Sequence, residues 1–388
     1  MPKHVIDTIA KKKRIAANII QRLCDGEHFL MLGHADPDED CIAAMVSFAL
    51  LVAKFDKNAT LFITGNLNEQ FSYLIDICQY NAIHVTCDND IDMSNIDTVV
   101  FCDTPKPEMI SAPNSARQLF DDPDVIKIEF DHHIAADSAY IGDPEYALVT
   151  EASSACELIG YIGLKLNHRP DLIERYHISE VISRNLVLAL LTGIIGDSKM
   201  GKFLKSRRER RFYEIFTGMF NELLVVGTWS TNRSDIFSNK EEVFDAIVRL
   251  SANEEACFTY FMKRAAVSSS VGHVILDESE SKTLFDRFDT DTVVSVARSA
   301  ADALAEQSSK LSLIGYFDFG KPEKLIQFRI RRSHNFKSFD VRSVLDQFQI
   351  ENGGGHEGAI GFRFERETVD DIREFGAKLI AGIESVIS

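Results

Sequence analysis

The chain has 388 residues, of which 45% are hydrophobic and 26% charged, and its formal net charge is −17. This length is enough for two or three domains, and the composition is that of a globular protein with a large apolar core. The sequence has no apolar run long enough to span a membrane and no signal-peptide core, so we expect neither a membrane partner nor export. The seven cysteines are odd in number and scattered, which favours a reduced, cytoplasmic protein.

The negative charge also limits the partners. A protein that follows long duplex nucleic acid usually presents a basic face. An acidic chain can still bind a short anionic substrate through a local positive pocket, and bound divalent cations would offset part of its charge. We therefore expect small phosphorylated substrates and no long duplex nucleic acid, while the sequence leaves homodimer formation open.

Hydrophobic periodicity predicts alternating strands and helices in the N-terminal part of the chain. An amphipathic helix is expected before about Phe29, from the spacing of Ile6, Ile9, Ile15, Ile19, Ile20 and Leu23. Strands are predicted at 29–32, 59–63, 98–102 and 125–130. Helices are predicted at 41–54, 68–78, 153–164 and 179–195. This alternation predicts an α/β domain with a doubly wound, largely parallel sheet over residues 1–227.

The pattern changes in the C-terminal part. Residues 228–254 include a polar stretch and are predicted to link two domains. Strands are then predicted at 271–276, 311–319, 326–330 and 360–364, with helices at 290–307, 341–348 and 369–387. Residues 255–388 are therefore expected to form a smaller α+β domain, across a cleft from the first.

Four apolar segments of the N-terminal part end in side chains that bind metal ions. They are His34, Asp38 and Asp40 after the first predicted strand, Asp103 after the third, Asp131, His132 and His133 after the fourth, and Asp197 after the run at 188–195. The carboxyl ends of strands in an open α/β sheet are where ligands bind, so we expect these side chains to converge. Carboxylate and imidazole together suit divalent cations such as Mn²⁺, and the convergence predicts a two-metal site.

Each of these residues also has a structural explanation. Asp38 and Asp40 are typical of a helix start, although in an extended loop both would point the same way and reach two ions. Asp103 is suited to capping a turn, and Asp197 to ending a helix. Asp131 is suited to orienting a metal-binding imidazole. Because several apolar segments in the same half of the chain end in such residues, a metal site is the favoured interpretation.

The two adjacent histidines are expected to have different roles. His132 and His133 project in different directions from an extended backbone, so that one can bind metal while the other meets substrate. The small residues around Gly193 and Gly196, before Asp197, permit a close approach of the backbone.

A second candidate site lies near the C-terminus. Three consecutive glycines precede a histidine there, and the backbone amides of such a turn can bind an anion. Arg329 lies two residues from another arginine on one strand face, where the pair could clamp a phosphate or stack on a base. A tight turn and solvated surface charge are the structural alternatives. The predicted substrate-binding residues of this part are Arg331, Gly353, Gly354, Gly355 and His356.

In this order along the chain, the motifs resemble those of the DHH phosphoesterase superfamily. The resemblance rests on Gly33 and His34 with Asp38 and Asp40, on Asp103, on Asp131, His132 and His133, on Gly196 and Asp197, and on the glycines before His356. It extends from about residue 29 to 365 and includes the C-terminal domain associated with DHH. In length and layout the chain is most similar to the oligoribonuclease (nanoRNase) and cyclic-dinucleotide phosphodiesterase group. Ala43, Ala44 and Ser198 depart from the usual family pattern without removing a metal ligand.

The resemblance implies two Mn²⁺ ions, with Mg²⁺ or Co²⁺ as alternatives, and a role for each residue. His34 and Asp38 would hold one ion, Asp40, His132 and Asp197 the other, and Asp103 would bridge them. His133 would face the scissile phosphate, and Asp103, Asp131 and His133 form the expected catalytic set. The substrate would be held by His133 and by Arg331, Gly353, Gly354, Gly355 and His356.

The implied function is hydrolysis of phosphodiester or phosphomonoester bonds by a water that the two metals activate. Expected substrates are short oligoribonucleotides, dinucleotides or 3′-phosphoadenosine 5′-phosphate. An exopolyphosphatase or pyrophosphatase would use the same chemistry, but the Gly-Gly-Gly-His motif argues against it because the pyrophosphatase branch carries a different C-terminal domain. A non-enzymatic nucleotide sensor is a third hypothesis, which the complete ligand set disfavours.

Overall fold

The chain forms two compact units, Met1–Arg249 (unit 1) and Leu250–Ser388 (unit 2). The computed structural model describes residues 3–64, 69–89, 92–134, 138–227, 239–248, 250–320, 325–350 and 352–387. Of the predicted linker, residues 228–238 and 249 lie outside the described residues. Lys240–Val248 is a helix, and its Val243 is buried in the core of unit 1. The predicted domain boundaries stay predictions.

Unit 1 contains a mostly parallel sheet. Its described strands are β1 (His28–His34), β2 (Asn58–Phe62), β3 (His84–Thr86), β4 (Thr98–Cys102), β5 (Ile110–Ser111), β6 (Ile126–Asp131) and β7 (Ala147–Val149). The strand order is β3-β2-β1-β4-β6-β7, and every neighbouring pair in this order is parallel. β5 adds to the end of β1 in the antiparallel direction. The order reverses between β1 and β4, and ligands of open α/β sheets bind at such a point.

The helices of unit 1 cover this sheet. Those described are α1 (Ile9–Asp25), α2 (Glu39–Ala53), α3 (Ser72–Tyr80), α4 (Ala155–Leu166), α5 (Pro170–Arg175), α6 (Arg184–Asp197), α7 (Arg207–Gly227) and α8 (Lys240–Val248). Short 3₁₀ turns occupy Glu69–Phe71, Pro107–Met109 and Asn114–Phe120. Residue 68, the predicted start of the third helix, lies outside the described residues. None of the described helices is long and apolar enough to cross a membrane.

Helix α2 is the most buried of these elements. It packs on β1 and β2 and also against α4 and α6, and its residues from Asp40 to Val52 are all buried. A helix that is apolar on every side has to lie inside the core. Because α2 follows β1 directly, its N-terminus is fixed at the carboxyl edge of the sheet.

Helix α1 corrects one detail of the predicted N-terminal helix. Thr8 caps it, its side chain accepting a hydrogen bond from the amide of Lys11. Ile15, Ile19 and other predicted positions are buried, but Ile9 is 76% exposed. Ile9 is the first residue of the helix and lies off its apolar face.

Unit 2 contains a mixed sheet. Its strands are β8 (Ala266–Val267), β9 (Val271–Ile275), β10 (Leu311–Asp318), β11 (Leu325–Arg332), β12 (Gly353–His356) and β13 (Ala359–Glu365). The order is β12-β13-β11-β10-β9-β8, in which β9 and β10 are parallel and the other pairs antiparallel. The described helices are α9 (Ala252–Met262), α10 (Glu278–Arg287), α11 (Thr290–Ser308), α12 (Ser343–Gln347) and α13 (Ile372–Ile387), and Arg366–Thr368 is a 3₁₀ turn. The predicted fold class, a largely parallel α/β domain followed by a smaller α+β domain, is confirmed.

Candidate metal centre

The predicted ligands lie at the carboxyl ends of three adjacent strands. His34 is the last residue of β1, Asp103 directly follows β4, and Asp131 ends β6 ahead of the two histidines. β1 and β4 flank the point where the strand order reverses. Asp103 has a left-handed backbone, with φ of 48°, and its amide donates to the carbonyl of Phe130 on β6. That bond ties the end of β4 to β6.

Asp38 and Asp40 lie at the start of α2 and not in an extended loop. Asp38 is the N-cap, and its Oδ1 accepts a hydrogen bond of 3.1 Å from the amide of Cys41. Asp40 is buried in the first helical turn and accepts from the amides of Ala155 at 2.6 Å and Cys156 at 3.1 Å. Residues two apart on a helix point in different directions, so the two carboxylates serve different sides of the site. Because the helix begins one residue after Asp38, the extended loop in which both side chains would point the same way is not formed.

The side chains form overlapping groups of the size that one metal ion needs. In each group one ligand atom per residue lies within 4.8 Å of the others, and the groups are His34, Asp38 and Asp103; Asp40, His132 and Asp197; and Asp103, His132 and His133. Asp103 is shared between the first and the last. These distances bring together all six side chains that were predicted to hold metal.

Individual distances show how tightly the groups connect. His132 Nε2 lies 3.1 Å from Asp197 Oδ2, 3.3 Å from Asp103 Oδ1 and 4.0 Å from Asp40 Oδ2. His34 Nε2 lies 3.9 Å from Asp103 Oδ2. Asp103 therefore presents one oxygen to each side of the site.

The donor set fits divalent cations. Within the described part of the chain, the buried Oδ1 of Asp103 lacks a well-aligned hydrogen-bond donor. An unsatisfied buried carboxylate oxygen is costly, and a cation would compensate it. Carboxylates with imidazoles are ligands that Mn²⁺, Zn²⁺ and related ions accept. The residues are therefore suited to hold two cations with Asp103 between them.

The two histidines have different second partners. His132 Nδ1 lies 3.2 Å from the carbonyl oxygen of Ala152, which turns its Nε2 toward the carboxylates. His133 Nδ1 instead lies 2.8 Å from Asp131 Oδ1, and its side chain is 40% exposed. Their rings are tilted by 56°. This geometry supports a metal-binding role for His132 and a more solvent-facing role for His133.

Glycines allow the helices to approach the carboxylates closely. A Cβ added at Gly193 would lie 2.3 Å from Asp40 Oδ1 and 2.5 Å from the Sγ of Cys156. At Gly196 it would lie 2.2 Å from the Cγ of Glu39. Real Cβ atoms do not reach such distances, so any larger residue at either position would force the side chains of Asp40, Cys156 or Glu39 to shift. This is the close backbone approach that the small residues before Asp197 predicted.

Without a bound cation, the surroundings of Asp40 and His132 favour their protonated forms. Burial, together with the charges of Asp103 and Asp197, raises the pKa of Asp40 well above its usual value. Burial opposes the charged form of His132, but the nearby carboxylates of Asp103 and Asp197 outweigh it and raise the pKa of His132 well above its usual value. A cation must displace these protons in order to bind.

Asp131 behaves in the opposite way. Burial opposes its ionised form, but the hydrogen bond with His133 and the charges of His133 and Lys3 outweigh burial and lower the pKa of Asp131 to about 2. Asp131 therefore stays ionised at neutral pH and can hold the imidazole of His133 in one orientation.

Sequence reasoning missed three contributors to the site. The amides of Ala155 and Cys156 bind Asp40, and Lys3 forms buried ion pairs with Asp131 and with the nearby Glu129. Backbone amides carry no side-chain signal, and Lys3 is separated from Asp131 by 128 positions. The sequence signal for these two amides is Ser154, whose type is common at helix starts and which caps the N-terminus of α4.

The glycine motif of unit 2 is a strand and not a tight turn. β12 pairs with β13, so that Gly354 lies opposite Gly361 and His356 opposite Ala359. The chain reverses at residues 357–358. Strand pairing with β13 overrides the low strand preference of glycine. The predicted turn was therefore wrong, while the predicted substrate-binding role of these residues stays a prediction.

Register places Gly354 and the two arginines on one face of this sheet. Arg329 lies opposite Gly361, and Arg331 lies opposite Ala359. A Cβ at Gly354 would meet no atom within 4 Å, and at Gly361 it would lie 3.9 Å from Nη1 of Arg329. The two glycines thus leave open backbone beside a guanidinium group.

Gly353 and Gly355 face the other side. A Cβ at Gly353 would lie 2.8 Å from both Leu345 and Phe362, and Gly355 has a φ of 145°. A pocket of about 460 Å³ lies beside Gly354 and Gly355, and its other lining residues are Asp340, Arg342, Ser343, Leu345 and Asp346. Arg331 Nε lies 3.5 Å from Asp302 Oδ1. The pocket is therefore lined by one arginine and two aspartates together with glycine backbone.

Comparisons with known proteins agree with this architecture. The sequence matches the DHH family, N-terminal domain, over residues 28–194. No curated protein matches the chain by sequence. An exopolyphosphatase-related protein from Bacteroides fragilis is similar in structure, with a TM-score of 0.62, 17% identity and coverage of 91% of each chain. RecJ from Thermus thermophilus, in complex with Mn²⁺, gives a TM-score of 0.44 and 14% identity over 98% of this chain and 55% of that one. A pGpG-specific phosphodiesterase from Vibrio cholerae gives 0.35 and 14% identity over 92% and 98%.

Proposed function

We propose that the chain, whose residues 28–194 match the DHH family N-terminal domain, is a phosphoesterase of the DHH superfamily that uses Mn²⁺ to hydrolyse short nucleotide substrates. The observation that carries this proposal is the position of Asp103. Its two oxygens face different groups of ligands, and one of them is buried without a well-aligned donor among the described residues. Such a carboxylate is suited to lie between two cations.

The remaining ligands divide between the two sides of Asp103. His34 and Asp38 would complete one cation site, and Asp40, His132 and Asp197 the other. Two bound divalent cations supply an activated water near neutral pH and neutralise the attacking and leaving oxygens of a phosphoryl group. Mn²⁺ accepts both the carboxylates and the imidazoles of this set.

His133 is the side chain suited to meet the substrate. It is partly exposed and next to the ligand His132, and its Nδ1 is engaged by Asp131 at 2.8 Å. With Nδ1 engaged, Nε2 of His133 can hydrogen-bond to a phosphoryl oxygen or to the leaving group. Charge that develops on those oxygens is stabilised best by groups already fixed in place. Asp131 provides that fixing.

Charge and the surface of unit 2 favour short nucleotides over long polymers. The net charge of −17 disfavours long polyanions. Within unit 2, Arg329 and the open backbone of Gly354 and Gly361 offer a flat, partly cationic surface. An arginine of this kind can pair with a phosphate or stack on a base. A dinucleotide, a short oligoribonucleotide or 3′-phosphoadenosine 5′-phosphate carries both groups.

A substrate panel tests the proposal. The full chain is stripped of metal, loaded with Mn²⁺, and assayed on a linear dinucleotide, 3′-phosphoadenosine 5′-phosphate, a small generic phosphodiester and tripolyphosphate. We expect turnover of the nucleotides to exceed that of tripolyphosphate, and no turnover without metal. Faster hydrolysis of tripolyphosphate would instead identify a polyphosphatase. Nucleotide binding without hydrolysis of any of the four compounds would identify a sensor.

A further inference from the structure

Lys3 is a fully buried cation beside the proposed catalytic histidine. Its Nζ lies 2.6 Å from Asp131 Oδ2, 2.8 Å from Glu129 Oε1 and 2.7 Å from the carbonyl oxygen of Thr104. The ammonium group donates hydrogen bonds to Asp131 Oδ2 and to the carbonyl oxygen of Thr104, and it forms an ion pair with Glu129. A buried lysine without such partners would be strongly disfavoured, so these contacts define its position.

The oxygens around Lys3 belong to two adjacent strand ends of the metal centre. Thr104 directly follows the shared ligand Asp103 after β4, and Asp131 directly precedes the ligand His132 at the end of β6. β4 and β6 are paired in parallel. One ammonium group therefore connects the backbone next to one ligand with the side chain next to another.

The carboxylate of Asp131 depends on Lys3 more than Glu129 does. Glu129 Oε2 also accepts hydrogen bonds from the amides of Ile141 and Gly142, at 3.1 and 2.9 Å. The hydrogen bonds described for the Asp131 side chain are one from Lys3 to Oδ2 and one with His133 at Oδ1. With both oxygens engaged, the carboxylate has one orientation, and it fixes the ring of His133.

We infer that Lys3 is a positioning residue for hydrolysis, because it fixes the Asp131 carboxylate and, through it, the imidazole of His133. The inference rests on the proposed phosphoesterase function. Lys3 touches neither substrate nor reacting atoms, so its loss should lower kcat and leave KM and metal content in place. Loss of a hydrogen-bonding partner behind a functional histidine typically costs about ten- to a hundredfold in activity.

The matched variants are Lys3→Met and Lys127→Met, assayed as full chains loaded with Mn²⁺. Lys127 is also buried and lies on β6 on the same side as Asp131, but its Nζ donates to the carbonyl of Asp122. On a dinucleotide, we expect Lys3→Met to lower kcat about ten- to a hundredfold with KM unchanged. Elemental analysis should show the wild-type metal content, and Lys127→Met should keep the wild-type kcat.

Two further variants separate positioning from stability. Lys3→Met leaves two buried carboxylates without their cation, so Lys3→Met combined with Glu129→Gln removes one of them and should fold with the same loss of kcat. In a His133→Ala background, Lys3→Met should have no additional effect, since both substitutions act through one imidazole. An equal further loss in that background would overturn the inference, as would wild-type kcat in folded Lys3→Met.

A measurement that does not need turnover keeps the two proposals distinguishable. Nitrogen-15 spectra of the imidazoles report which ring nitrogen of His133 carries the proton and how strongly it is hydrogen-bonded. We expect the His133 signals to shift in Lys3→Met and not in Lys127→Met. If the wild type hydrolyses no phosphoester, the proposed function fails and these spectra still decide the role of Lys3. Unchanged His133 signals in Lys3→Met would refute the positioning role of Lys3.

Discussion

Replacement of Asp103 by alanine is the most direct perturbation of the proposed two-metal centre. Its Oδ1 lies 3.3 Å from His132 Nε2 and its Oδ2 lies 3.9 Å from His34 Nε2, so one side chain connects both sides of the site. Without it, His34 and Asp38 remain as a pair, whereas Asp40, His132 and Asp197 still form a group of three. We therefore expect Asp103→Ala to bind one cation in place of two.

The loss of rate follows from that change. A lone cation cannot stabilise both the attacking and the leaving oxygen, and the spacing of the two sites is no longer fixed. We expect kcat to fall by about three orders of magnitude, which is about 4 kcal/mol at 1.36 kcal/mol per factor of ten. The fold should tolerate the change, because burial raises the pKa of Asp103 and thereby makes its ionised form unfavourable without a cation.

The assay combines elemental analysis, kcat on the best nucleotide substrate with saturating Mn²⁺, and thermal unfolding of the metal-free chain. Asp171→Ala is the control, since Asp171 is exposed and pairs with Arg169 two residues away. We expect the control to match the wild type in all three measurements. If Asp103→Ala keeps two cations, or more than about a tenth of the wild-type kcat, Asp103 does not bridge the metals.

Three further outcomes are expected at the same centre. His132→Ala should lower metal content, whereas His133→Ala should keep the metal and lower kcat. Elemental analysis of both variants measures the metal content, and an equal loss of metal in the two would contradict the different roles of the histidines. Gly193→Ala introduces a Cβ 2.3 Å from Asp40 Oδ1, so Mn²⁺ affinity measured by calorimetry should fall at least about tenfold. The control is Gly218→Ala, where a Cβ meets nothing within 4 Å and Mn²⁺ should bind as in the wild type. Mn²⁺ binding should release protons, because the pKa values of Asp40 and His132 are raised, and affinity should therefore increase as pH rises. Calorimetry in two buffers of different ionisation enthalpy measures this release, and a pH-independent affinity without it would argue against protonated ligands.

The sequence predicted that these side chains of unit 1 would lie close together because strand ends and residue types give local signals. The predicted third strand coincides with β4, Thr98–Cys102, so Asp103 was placed directly after it. In a parallel sheet such ends meet at one edge, so knowledge of the strands was sufficient to bring His34, Asp103 and His132 together. The sequence also predicted Asp38 as a possible helix start, and in the structure this capping residue lies in one of the candidate metal groups.

Features that depend on distant partners or on backbone atoms were not predictable in the same way. Lys3 meets Asp131 across 128 positions, and no pattern near the N-terminus indicates that contact. The amide of Ala155 that binds Asp40 is common to every residue type. In unit 2 the glycines led to the wrong prediction of a turn, because glycine is rare in strands and Gly354 nevertheless lies in a paired strand.

The burial of α2 from Asp40 to Val52 has a consequence for how the centre opens. Amide hydrogens in an element buried on all sides exchange with solvent only when the whole unit unfolds, whereas those of exposed segments exchange through local openings. Asp40 is part of this helix, and its neighbours up to Val52 are all buried. We therefore expect Asp40, a proposed metal ligand, to lie in one of the slowly exchanging parts of unit 1. If the proposed cations bind, we expect them to exchange through movement of more exposed side chains such as Asp197, and we expect loss of metal to leave the exchange protection of α2 intact.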